Sequence, residues 1–593
     1  MADNIFNDYL YSDLLQSDGF VVDYCICTTY SVDMNTLLSI PFMIGTLSDL
    51  NEKTIRSPHY VLEAISSSVS KFAVFCNAGC IFVPQNNSKV YSLLEDSVVQ
   101  VTLKNKGKGF INFHPKVWVI KETNPDNGIS QIKIVVMSRN LTTSNDLDVV
   151  CGMKGIVQNN LASKARREKH KPLIDFLEWL KSQSSERHIS KGIDEICNCI
   201  KCIKEFDLGD SQFDDYDFFP MGIDGYDGLV NCFQDNMLSH TSETIVISPF
   251  IDEKFLNKLI SSSPTSKKTL ITRHSSITEE VLKIFNDGVY AVKEVLTDQS
   301  EKETIVDIHE KVYFIRNNAL GCNHLYLGST NATMNGFGRN VEFLIRLQFA
   351  PYKMSYDKFR KELINDSKEC MFDQVFSIPL SEHTIEDCTS ELELRKAIAA
   401  IQKARVIEAK GDNYSIQLIC NKKIANKPVL IYPLNCEVMV QNLADGILFS
   451  NMTLPMLTEF YVIQVDDLNR MIKIETSGLP TELRNQAIFR SIINTKGKFI
   501  NYISFMLAES PEEYILESQT INAELAVGTS TRQEYEISVS LYEDMIRTAY
   551  YDPDRISKIR NVIKNVDVDV IPESFDLMFR QFESAIKEIK RMS

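Results

Sequence analysis

Apolar runs of strand length alternate with helical patterns over two separate parts of the chain. Between residues 19 and 155, the runs FVVDYCICTTY, KFAVFCNAGCIFV, KVWVI and IKIVVM are rich in β-branched and aromatic residues, which favour strands. The helical pattern SPHYVLEAISSSVS lies among them, with Ser57 and Pro58 as its cap and first-turn residue. From residue 229 a second series begins with TIVISPFI, KTLITR and KVYFI. The pattern predicts two α/β units in one chain.

The remaining regions have other periodicities. Residues 160–206 show helical spacing, residues 413–478 alternate like strands, and long amphipathic stretches follow from residue 481. Acidic residues dominate 207–228, which holds seven Asp and no Lys or Arg. We interpret that segment as a linker, with an inhibitory cover over a basic groove as the alternative. The predicted regions are 1–155 (first α/β half), 156–228 (helical insert and acidic linker), 229–350 (second half), 351–480 (β-rich module) and 481–593 (helical module).

Length and composition place the chain among ordinary soluble proteins. At 593 residues it is too long for a single hydrophobic core. Fourteen scattered cysteines suit a reducing compartment, and neither a secretion signal nor a membrane-spanning run is apparent, so we expect a cytoplasmic protein without membrane contact. The formal net charge of −16 argues against broad, nonspecific wrapping of nucleic acid.

A local basic run lies within this acidic chain. No Asp or Glu occurs from Ser97 to Lys121, a stretch that carries five lysines. The run is either a solvated, lysine-rich edge strand or a path of approach for a polyanion. The second interpretation makes nucleic-acid-binding candidates of the lysines and of two arginines near the motifs described next: Lys104, Lys106, Lys108, Lys121, Arg139 and Arg316.

Two similar motifs stand in corresponding places in the two α/β units. FHPKVWVI at 113–120 and IHEKVYFI at 308–315 both read apolar, His, any residue, Lys and an apolar run. If both lie on strands, each His and Lys share one face, close enough to reach one phosphate together. Histidine can attack phosphorus or donate a proton, and lysine stabilises charge on the phosphate oxygens.

The residues that follow each His-x-Lys motif also match between the two copies, which strengthens the case for a shared function. An apolar strand leads to Ser138 and Asn140 in the first copy and to Ser329 and Asn331 in the second. An acid then precedes another apolar run, Asp148 in the first copy and Glu342 in the second. Because the same features recur in the same order, we infer that a whole domain is duplicated.

These residues resemble the phospholipase D superfamily, whose hallmark is a duplicated His-x-Lys motif with a downstream Asn. The resemblance covers roughly residues 20–350. It implies two α/β/α half-domains packed as a pseudo-dimer, with both motifs in one phosphodiesterase site that uses no metal or other cofactor. The residues it implicates in catalysis are His114, Lys116, Ser138, Asn140, Asp148, His309, Lys311, Ser329, Asn331 and Glu342.

The resemblance also implies a role for most of these groups. One histidine attacks phosphorus to form a phosphohistidine, and the other protonates the leaving oxygen and later activates water. We assign His114 as nucleophile and His309 as general acid and base, although the two roles could be exchanged. The lysines and asparagines would hold phosphate oxygens, and Glu342 and Asp148 would orient the histidine of the opposite half.

Departures from the lipid-cleaving pattern favour nucleic acid as the substrate. Lipid-cleaving members usually carry an Asp in His-x-Lys-x4-Asp, whereas Lys121 and Arg316 occupy those positions here. That pattern is similar to the nuclease and tyrosyl-DNA phosphodiesterase branches. We therefore expect a phosphodiesterase acting on nucleic acid, with DNA preferred.

Other functions and partners are weighed against this one. A phospholipid or DNA-adduct phosphodiesterase, and a non-catalytic nucleic-acid-binding or assembly protein on the same fold, are the alternatives. At the family level we expect a role in prokaryotic antiviral defence or restriction, beside a helicase or ATPase docked on the C-terminal modules; a homo-oligomer is left open. The cysteines of CNCIKC and His324 are interpreted as core residues rather than a metal site or a catalytic group.

Overall fold

The computed structural model describes most of the chain in several stretches. These are residues 17–44, 58–84, 88–103, 111–143, 146–209, 212–233, 241–261, 267–293, 296–297, 303–304, 307–364, 370–378, 388–408, 413–421, 426–507, 541–550 and 553–592. The predicted α/β class is confirmed: each of the two predicted units contains a mixed parallel and antiparallel sheet together with helices. No helix in these stretches is long and apolar enough to cross a membrane.

A six-stranded sheet forms the first unit. Its strands lie in the order β5-β3-β1-β6-β7-β8. The parallel pairs β1–β3 and β3–β5 give way to antiparallel pairing from β6 onwards. The elements up to residue 156 are β1 (Val21–Thr29), β2 (Val32–Asp33), α1 (Met34–Ile44), α2 (Pro58–Ser68), β3 (Phe72–Asn77), β4 (Ile81–Phe82), β5 (Val98–Val101), β6 (Val117–Thr123), β7 (Ser130–Met137) and β8 (Val150–Ile156).

Among the described residues, three helices and an edge strand lie between the first sheet and the first parallel strand of the second sheet. Ser163 caps the helix that begins at Lys164, since its Oγ accepts a hydrogen bond from the Arg166 N–H. The helix that begins at Arg187 has one buried face, which is lined by isoleucines. The acidic segment is not a linker throughout, because Asp215–Met221 pairs with a strand of the second sheet. Tyr216, Phe218 and Pro220 alternate as buried positions in this strand. The elements are α3 (Lys164–Lys181), α4 (Arg187–Ile200), β9 (Asp215–Met221) and α5 (Gly228–Phe233).

An eight-stranded sheet forms the second unit, in the order β18-β12-β11-β10-β15-β16-β17-β9. Strands β12-β11-β10-β15-β16-β17 repeat the order and the parallel or antiparallel sense of the whole first sheet. The elements are β10 (Thr241–Ile247), α6 (Glu253–Ser261), β11 (Lys267–Thr272), α7 (Glu279–Ile284), β12 (Val289–Val292), β13 (Leu296–Thr297), β14 (Glu303–Thr304), β15 (Val312–Asn317), β16 (Cys322–Gly328), α8 (Met334–Gly338), β17 (Glu342–Phe349), α9 (Tyr356–Leu363) and β18 (Phe372–Gln374).

One hydrophobic core joins the two sheets. Ile134 of β7 and Leu325 of β16 belong to the same buried cluster, together with Phe176 of α3. Val117 and Val119 of β6 face this shared core, whereas Trp118 faces α1 and α2 on the other side of the sheet. The sheets therefore pack face to face, with β7 and β8 against β16 and β17.

The C-terminal region adds a β-rich part and a helical part. Strands β2 and β4 of the first unit continue into a sheet ordered β2-β4-β25-β24-β21-β22, so this part is joined to the first unit by backbone pairing. The β-rich elements are α10 (Cys388–Ala400), β19 (Ile401–Glu408), β20 (Tyr414–Cys420), β21 (Leu430–Pro433), β22 (Gln441–Asn442), β23 (Leu448–Met452), β24 (Phe460–Val465), β25 (Leu468–Lys473) and β26 (Thr476–Ser477). The helices are α11 (Thr481–Ile492), α12 (Lys496–Leu507), α13 (541–550), α14 (Pro553–Asn565) and α15 (Glu573–Met592).

Candidate active site

The two His-x-Lys motifs lie just before β6 and β15, not on them. Those strands begin at Val117 and Val312. Phe113 forms a parallel bridge with Val341, and Ile308 forms one with Leu147. The prediction that each motif lies on a regular strand is therefore wrong: the residue before each His pairs with the other α/β unit, whereas the Lys116 carbonyl accepts from the Met137 N–H at 3.0 Å within its own sheet.

This pairing exchanges partners between the units. The His114 N–H donates to the carbonyl of Val341 at 2.9 Å, and the His309 N–H donates to the carbonyl of Leu147 at 3.0 Å. Glu342 and Asp148 are the residues that follow those two carbonyls. Each motif is thus held beside the acid of the opposite unit.

The side chains complete the exchange. Nδ1 of His114 lies 3.0 Å from Oε2 of Glu342, and Nδ1 of His309 lies 3.1 Å from Oδ1 of Asp148. A carboxylate on Nδ1 fixes the tautomer in which Nε2 carries the lone pair. The carboxylates therefore occupy the Nδ1 side of each ring, and the Nε2 atoms, that of His114 beside Nζ of Lys116, are the ring nitrogens able to attack phosphorus or carry a proton.

Ser138 and Ser329 support the acids. The Ser329 hydroxyl donates to Oε2 of Glu342 and accepts from the Phe343 N–H at 3.0 Å. The Ser138 hydroxyl donates to Oδ1 of Asp148 at 2.8 Å and accepts from the Val149 N–H at 2.9 Å. Both serines are completely buried, so they cannot touch a substrate. In place of the predicted catalytic role, the structure gives them the role of fixing the carboxylates.

The surroundings of the two acids differ. Glu342 is fully buried, and its Oε1 accepts from Nδ2 of Asn340 at 3.1 Å. Oδ1 of Asn340 accepts in turn from the Asn112 N–H at 3.1 Å. The side chain of Asp148 is 14% exposed, and its Oδ2 is buried with no hydrogen-bond partner among the described residues. The His114–Glu342 pair is therefore the more tightly constrained of the two.

Both lysines are buried beside the histidines. Nζ of Lys116 lies 3.1 Å from Nε2 of His114, and Nζ of Lys311 donates to the carbonyl of His309. Burial and the nearby Lys311 ammonium hold the pKa of Lys116 well below its usual range. Burial also lowers the pKa of Lys311 to about 8. An anion bound between the two ammonium groups would stabilise the charged form of both.

The histidines favour the neutral form. Burial lowers the pKa of His114 despite Glu342, and it lowers the pKa of His309 to about 4, with the lysines adding to the effect. Burial raises the pKa of Asp148, but the hydrogen bonds from His309 and Ser138 and the nearby charges of His309 and Lys311 together outweigh it, so the net shift is downward. In the free protein the site thus combines neutral imidazoles with ionised Asp148.

Asn140 and Asn331 occupy matching turns after β7 and β16. The residue after each asparagine makes a parallel bridge, Leu141 with Val32 and Ala332 with Ile251. Oδ1 of both asparagines is buried without a hydrogen-bond partner in the described parts of the chain. These two amides are the orphaned polar groups expected of side chains that bind a ligand.

The predicted nucleic-acid-binding residues do not all gather here. Lys104, Lys106 and Lys108 lie outside the described residues. Nζ of Lys121 lies 2.7 Å from Oε1 of Glu195 and 3.4 Å from Oδ2 of Asp23, and Arg316 binds the Gly321 carbonyl at 3.3 Å. Each lies five residues beyond a motif lysine, roughly 16 Å along the strand, so the structure does not place either of them in the site. Arg139, next to Asn140, is in the site region and contacts the Thr142 carbonyl.

Arg395 on α10 also contacts the surroundings of the site, and nothing in the sequence predicted this. Nη2 of Arg395 lies 3.0 Å from the Tyr30 hydroxyl, and Nη1 donates to Oδ1 of Asn112 at 2.9 Å. The Tyr30 ring lies 5.1 Å from the His114 ring, centroid to centroid. Through Tyr30, and through the Asn112–Asn340–Glu342 contacts, Arg395 is connected to His114 by two routes.

A corresponding contact supports the second motif. Nε of Arg273 donates to Oδ1 of Asp307 at 2.9 Å, and Nη2 lies 2.7 Å from Oδ2. Asp307 and Ile308 directly precede His309. Asn77, the last residue of β3, occupies the equivalent position in the first unit to Arg273, which directly follows β11. Oδ1 of Asn77 accepts from the Phe113 N–H at 2.9 Å, so it supports the first motif in the same place. No periodicity marks these residues, because their contacts join distant parts of the chain.

The cysteines and His324 lie outside this site. Cys197 is buried in the isoleucine face of α4, and Cys25 and Cys27 are buried in β1. His324 is buried in β16, where Nε2 lies 3.3 Å from Oε1 of Gln348. Cys197 and His324 are therefore core residues as predicted, whereas Cys199 and Cys202 of the same run are only partly buried, so the prediction that they are core residues is wrong.

Comparison with known proteins gives remote likenesses. No protein-family model matches the chain, and no curated protein matches it. Among solved structures it is similar to polyphosphate kinase from Porphyromonas gingivalis, with 10% identity and a TM-score of 0.32 over 62% of this chain and 46% of that chain, less than half of the kinase. It is also similar to NucT from Helicobacter pylori, with 18% identity and a TM-score of 0.20 over 25% of this chain and 94% of that chain. Both TM-scores lie below 0.5, and the chemistry of the site follows from its own geometry.

Proposed function

We propose that this chain is a metal-independent phosphodiesterase of the phospholipase D superfamily that cleaves nucleic acid, with DNA as the expected substrate. The observation that supports it is the exchanged pairing of His114 with Glu342 and of His309 with Asp148. Each pair presents one Nε2 for chemistry, and a buried lysine lies beside each histidine. Two such half-sites supply what phosphodiester hydrolysis needs: a nucleophile, a proton carrier and positive charge.

The reaction follows in two steps. Nε2 of His114 attacks phosphorus, and the bond from phosphorus to the leaving oxygen breaks as His309 gives that oxygen its proton. Nε2 of His309, now neutral, takes a proton from water, whose oxygen attacks phosphorus and displaces His114. A bound phosphodiester anion offsets the lysine charges that lower the pKa of His309, so substrate binding favours the protonated general acid.

Nucleic acid is favoured over lipid by the residues downstream of each motif lysine. Lys121 and Arg316 occupy the positions where lipid-cleaving members usually carry Asp. The DNA preference, the defence role and the helicase or ATPase partner stay predictions.

The first test is cleavage of labelled single- and double-stranded DNA and RNA in the presence of EDTA. We expect the wild-type chain to cleave at least one of them, and His114→Ala and His309→Ala to lower the rate by a factor of 10² or more. His188→Ala, on α4 outside the site, is the control and should keep its activity. Full activity of His114→Ala would disprove the assignment.

A second test separates the two histidine roles. Methyl p-nitrophenyl phosphate releases p-nitrophenolate, which needs no proton from a general acid. His309→Ala should therefore give one burst of p-nitrophenolate and stop with the phosphoryl group on His114, whereas His114→Ala should give no burst. The reverse result would exchange the roles. Cleavage of phospholipid alone, or tight nucleic-acid binding with no histidine-dependent cleavage, would favour the alternative functions.

A further inference from the structure

An exposed aromatic ring lies beside the His309 half of the site. Phe250, in the loop between β10 and α6, is 50% exposed. The Ser248 hydroxyl donates to the Phe250 carbonyl at 2.8 Å and accepts from the Ala332 N–H at 3.0 Å. Ala332 follows Asn331, so this loop is attached to the turn that carries one of the two orphaned amides.

Arg273 connects the Phe250 ring to the backbone that precedes His309. Its Cζ lies 4.4 Å from the centroid of the Phe250 ring. The guanidinium is held in that place by Asp307, and its Nη2 lies 3.5 Å from the Ile308 carbonyl. Asp307 and Ile308 directly precede His309, so the ring is held beside the backbone that leads into the second motif.

The duplicated fold does not require an aromatic residue at this position. The Val32–Leu141 and Ile251–Ala332 bridges show that Val32 and Ile251 correspond, so Ser31 is the counterpart of Phe250. Ser31 is buried at 7% exposure. The counterpart of Arg273 is Asn77, which makes the backbone contact without a cation. An exposed ring over a fixed guanidinium is thus particular to the His309 side.

We propose that Phe250, backed by Arg273, stacks the nucleobase that adjoins the scissile phosphate on the His309 side. This inference rests on the proposed function and narrows its substrate class. A base in a duplex has both faces covered by neighbouring pairs, whereas an unpaired base offers one face to an aromatic ring. The substrate is accordingly single-stranded nucleic acid, or the unpaired end of a duplex.

The test compares Phe250→Ala, Phe250→Trp and the control Tyr352→Ala, which removes a ring that is 86% exposed in the turn after β17. Phe250→Ala should raise KM for a single-stranded oligonucleotide about 10-fold or more, because a stacked base is lost. Phe250→Trp should retain near wild-type KM, and Tyr352→Ala should leave it unchanged. On methyl p-nitrophenyl phosphate, which has no base, Phe250→Ala should behave as the wild type does.

An abasic substrate supplies the decisive comparison. Removing the base beside the scissile phosphate should weaken cleavage by the wild type but should make no difference to Phe250→Ala. Equal loss in both proteins, or unchanged KM for Phe250→Ala on the complete oligonucleotide, would overturn the proposal. The proposal would also be overturned if Phe250→Ala lost as much activity on methyl p-nitrophenyl phosphate as on the oligonucleotide. That result would show that the ring only supports the fold.

Binding separates failure of this inference from failure of the proposed function. An oligonucleotide with 2-aminopurine at the same position should lose fluorescence on binding to the wild type and not to Phe250→Ala. If histidine-dependent cleavage of every phosphodiester is absent, the phosphodiesterase proposal falls, and this quenching still decides whether Phe250 stacks a base. If cleavage is present but quenching is the same in both proteins, only the stacking proposal falls.

Discussion

Asp148 and Glu342 hold opposite histidines, but they do so in different surroundings. Both oxygens of Glu342 have hydrogen-bond partners inside a fully buried pocket, whereas Oδ2 of Asp148 has none among the described residues. A buried carboxylate depends strongly on each donor, because water cannot replace one that is lost. The two halves of the duplicated site should therefore respond differently to the same change.

Replacement of the supporting serines tests this difference. Ser329→Ala removes a donor to Glu342 and the acceptor of the Phe343 N–H, so we expect a loss of about 1–3 kcal/mol in stability. We also expect kcat/KM to fall about 10-fold as Glu342 loses its fixed position. Ser138→Ala is the matched variant and should cost less in both measures, because Asp148 is partly exposed. Thermal unfolding and steady-state kinetics measure the two effects, and equal costs would contradict the asymmetry.

The lysine pKa values predict an alkaline limit to activity. A lysine is charged below its pKa, and burial lowers the pKa of Lys311 to about 8, so its charge is lost above that pH. The kcat/KM of the wild type should therefore fall as pH rises through about 8, since this parameter reports the free enzyme. Lys311→Arg, if active, should move the fall to higher pH, because guanidinium stays charged.

A second group near Lys311 must be separated from it in that experiment. Burial raises the pKa of Glu310 to about 7. Glu310→Gln is the control: the fall should remain, moved slightly to lower pH, because the Glu310 charge is one of the weaker causes that raise the pKa of Lys311. A pH profile that Lys311→Arg leaves unchanged would contradict the role of the Lys311 charge. The charged groups that act on Lys311 are Asp148, Glu342, Arg273 and Glu310.

The motif residues could be predicted from the sequence, but their contacts could be predicted only in part. Repetition of His, Lys, Ser, Asn and an acid in one order marked the residues, and the resemblance implied the cross-pairing of His114 with Glu342. The roles of Ser138 and Ser329 were not visible, because a hydroxyl suits a ligand or a carboxylate equally well. Only their complete burial decides between these.

At the level of elements, helix α10 brings the β-rich part of the chain to the His114 half-site. Arg395 on this helix contacts Tyr30 and Asn112, and Ile398 packs so closely on Gly79 that an added Cβ would lie 2.3 Å from its Cδ1. Gly79 also has a φ of +77°, which favours glycine. The helix is therefore seated directly on the turn that follows β3.

Removal of the Arg395 side chain should weaken catalysis without unfolding the protein. Two hydrogen bonds that hold Tyr30 and Asn112 are lost, and we expect kcat to fall about 5-fold with little change in KM. Lys396→Ala, on the same helix but paired with Glu393, should stay within about 2-fold of the wild type. Tyr30→Phe combined with Arg395→Ala should be less than additive, because both break the Tyr30 route. Equal kcat for the Arg395 and Lys396 variants would contradict the connection.

Strand β9 shows where sequence interpretation failed at this scale. Its Asp residues suggested a solvated linker, but Tyr216, Phe218 and Pro220 are buried and alternate with partly exposed positions, which is the period of a half-buried strand. Asp217 pairs with Arg346 of β17, so part of the negative charge is neutralised within the sheet. The prediction relied on the high density of Asp and gave the strand-like alternation too little weight. The arginine that neutralises Asp217 could not be identified from the sequence, because it lies 129 residues away along the chain.

In the whole molecule, one buried ion pair joins three parts of the chain. Glu95, in the 3-10 helix Lys89–Ser97 before β5, accepts from Arg484 of α11 and, at Oε1, from the Thr458 hydroxyl at 2.6 Å and the Glu459 N–H at 2.8 Å. Glu95 and Arg484 are each 1% exposed. The first α/β unit, the β-rich part and the helical part therefore meet at a single carboxylate.

Neutralisation of that carboxylate should destabilise all three parts together. Glu95→Gln keeps the shape but leaves the Arg484 charge buried and unpaired, which should cost about 3–5 kcal/mol. Thermal unfolding should shift to lower temperature, and hydrogen exchange should rise around Thr458 and α11 together. The double variant Glu95→Leu with Arg484→Met should recover much of the loss, since no charge is left buried. A loss confined to the helical part would contradict the joint dependence.

The exchanged pairing also has a consequence for the making of this protein. His114 receives its carboxylate from Glu342, so a ribosome must translate more than two hundred further residues before that pair can form. Throughout this interval the nascent chain holds only one of the two half-sites. For the phosphodiesterase proposed above, this order of synthesis means that no complete site exists until the second half has emerged and docked.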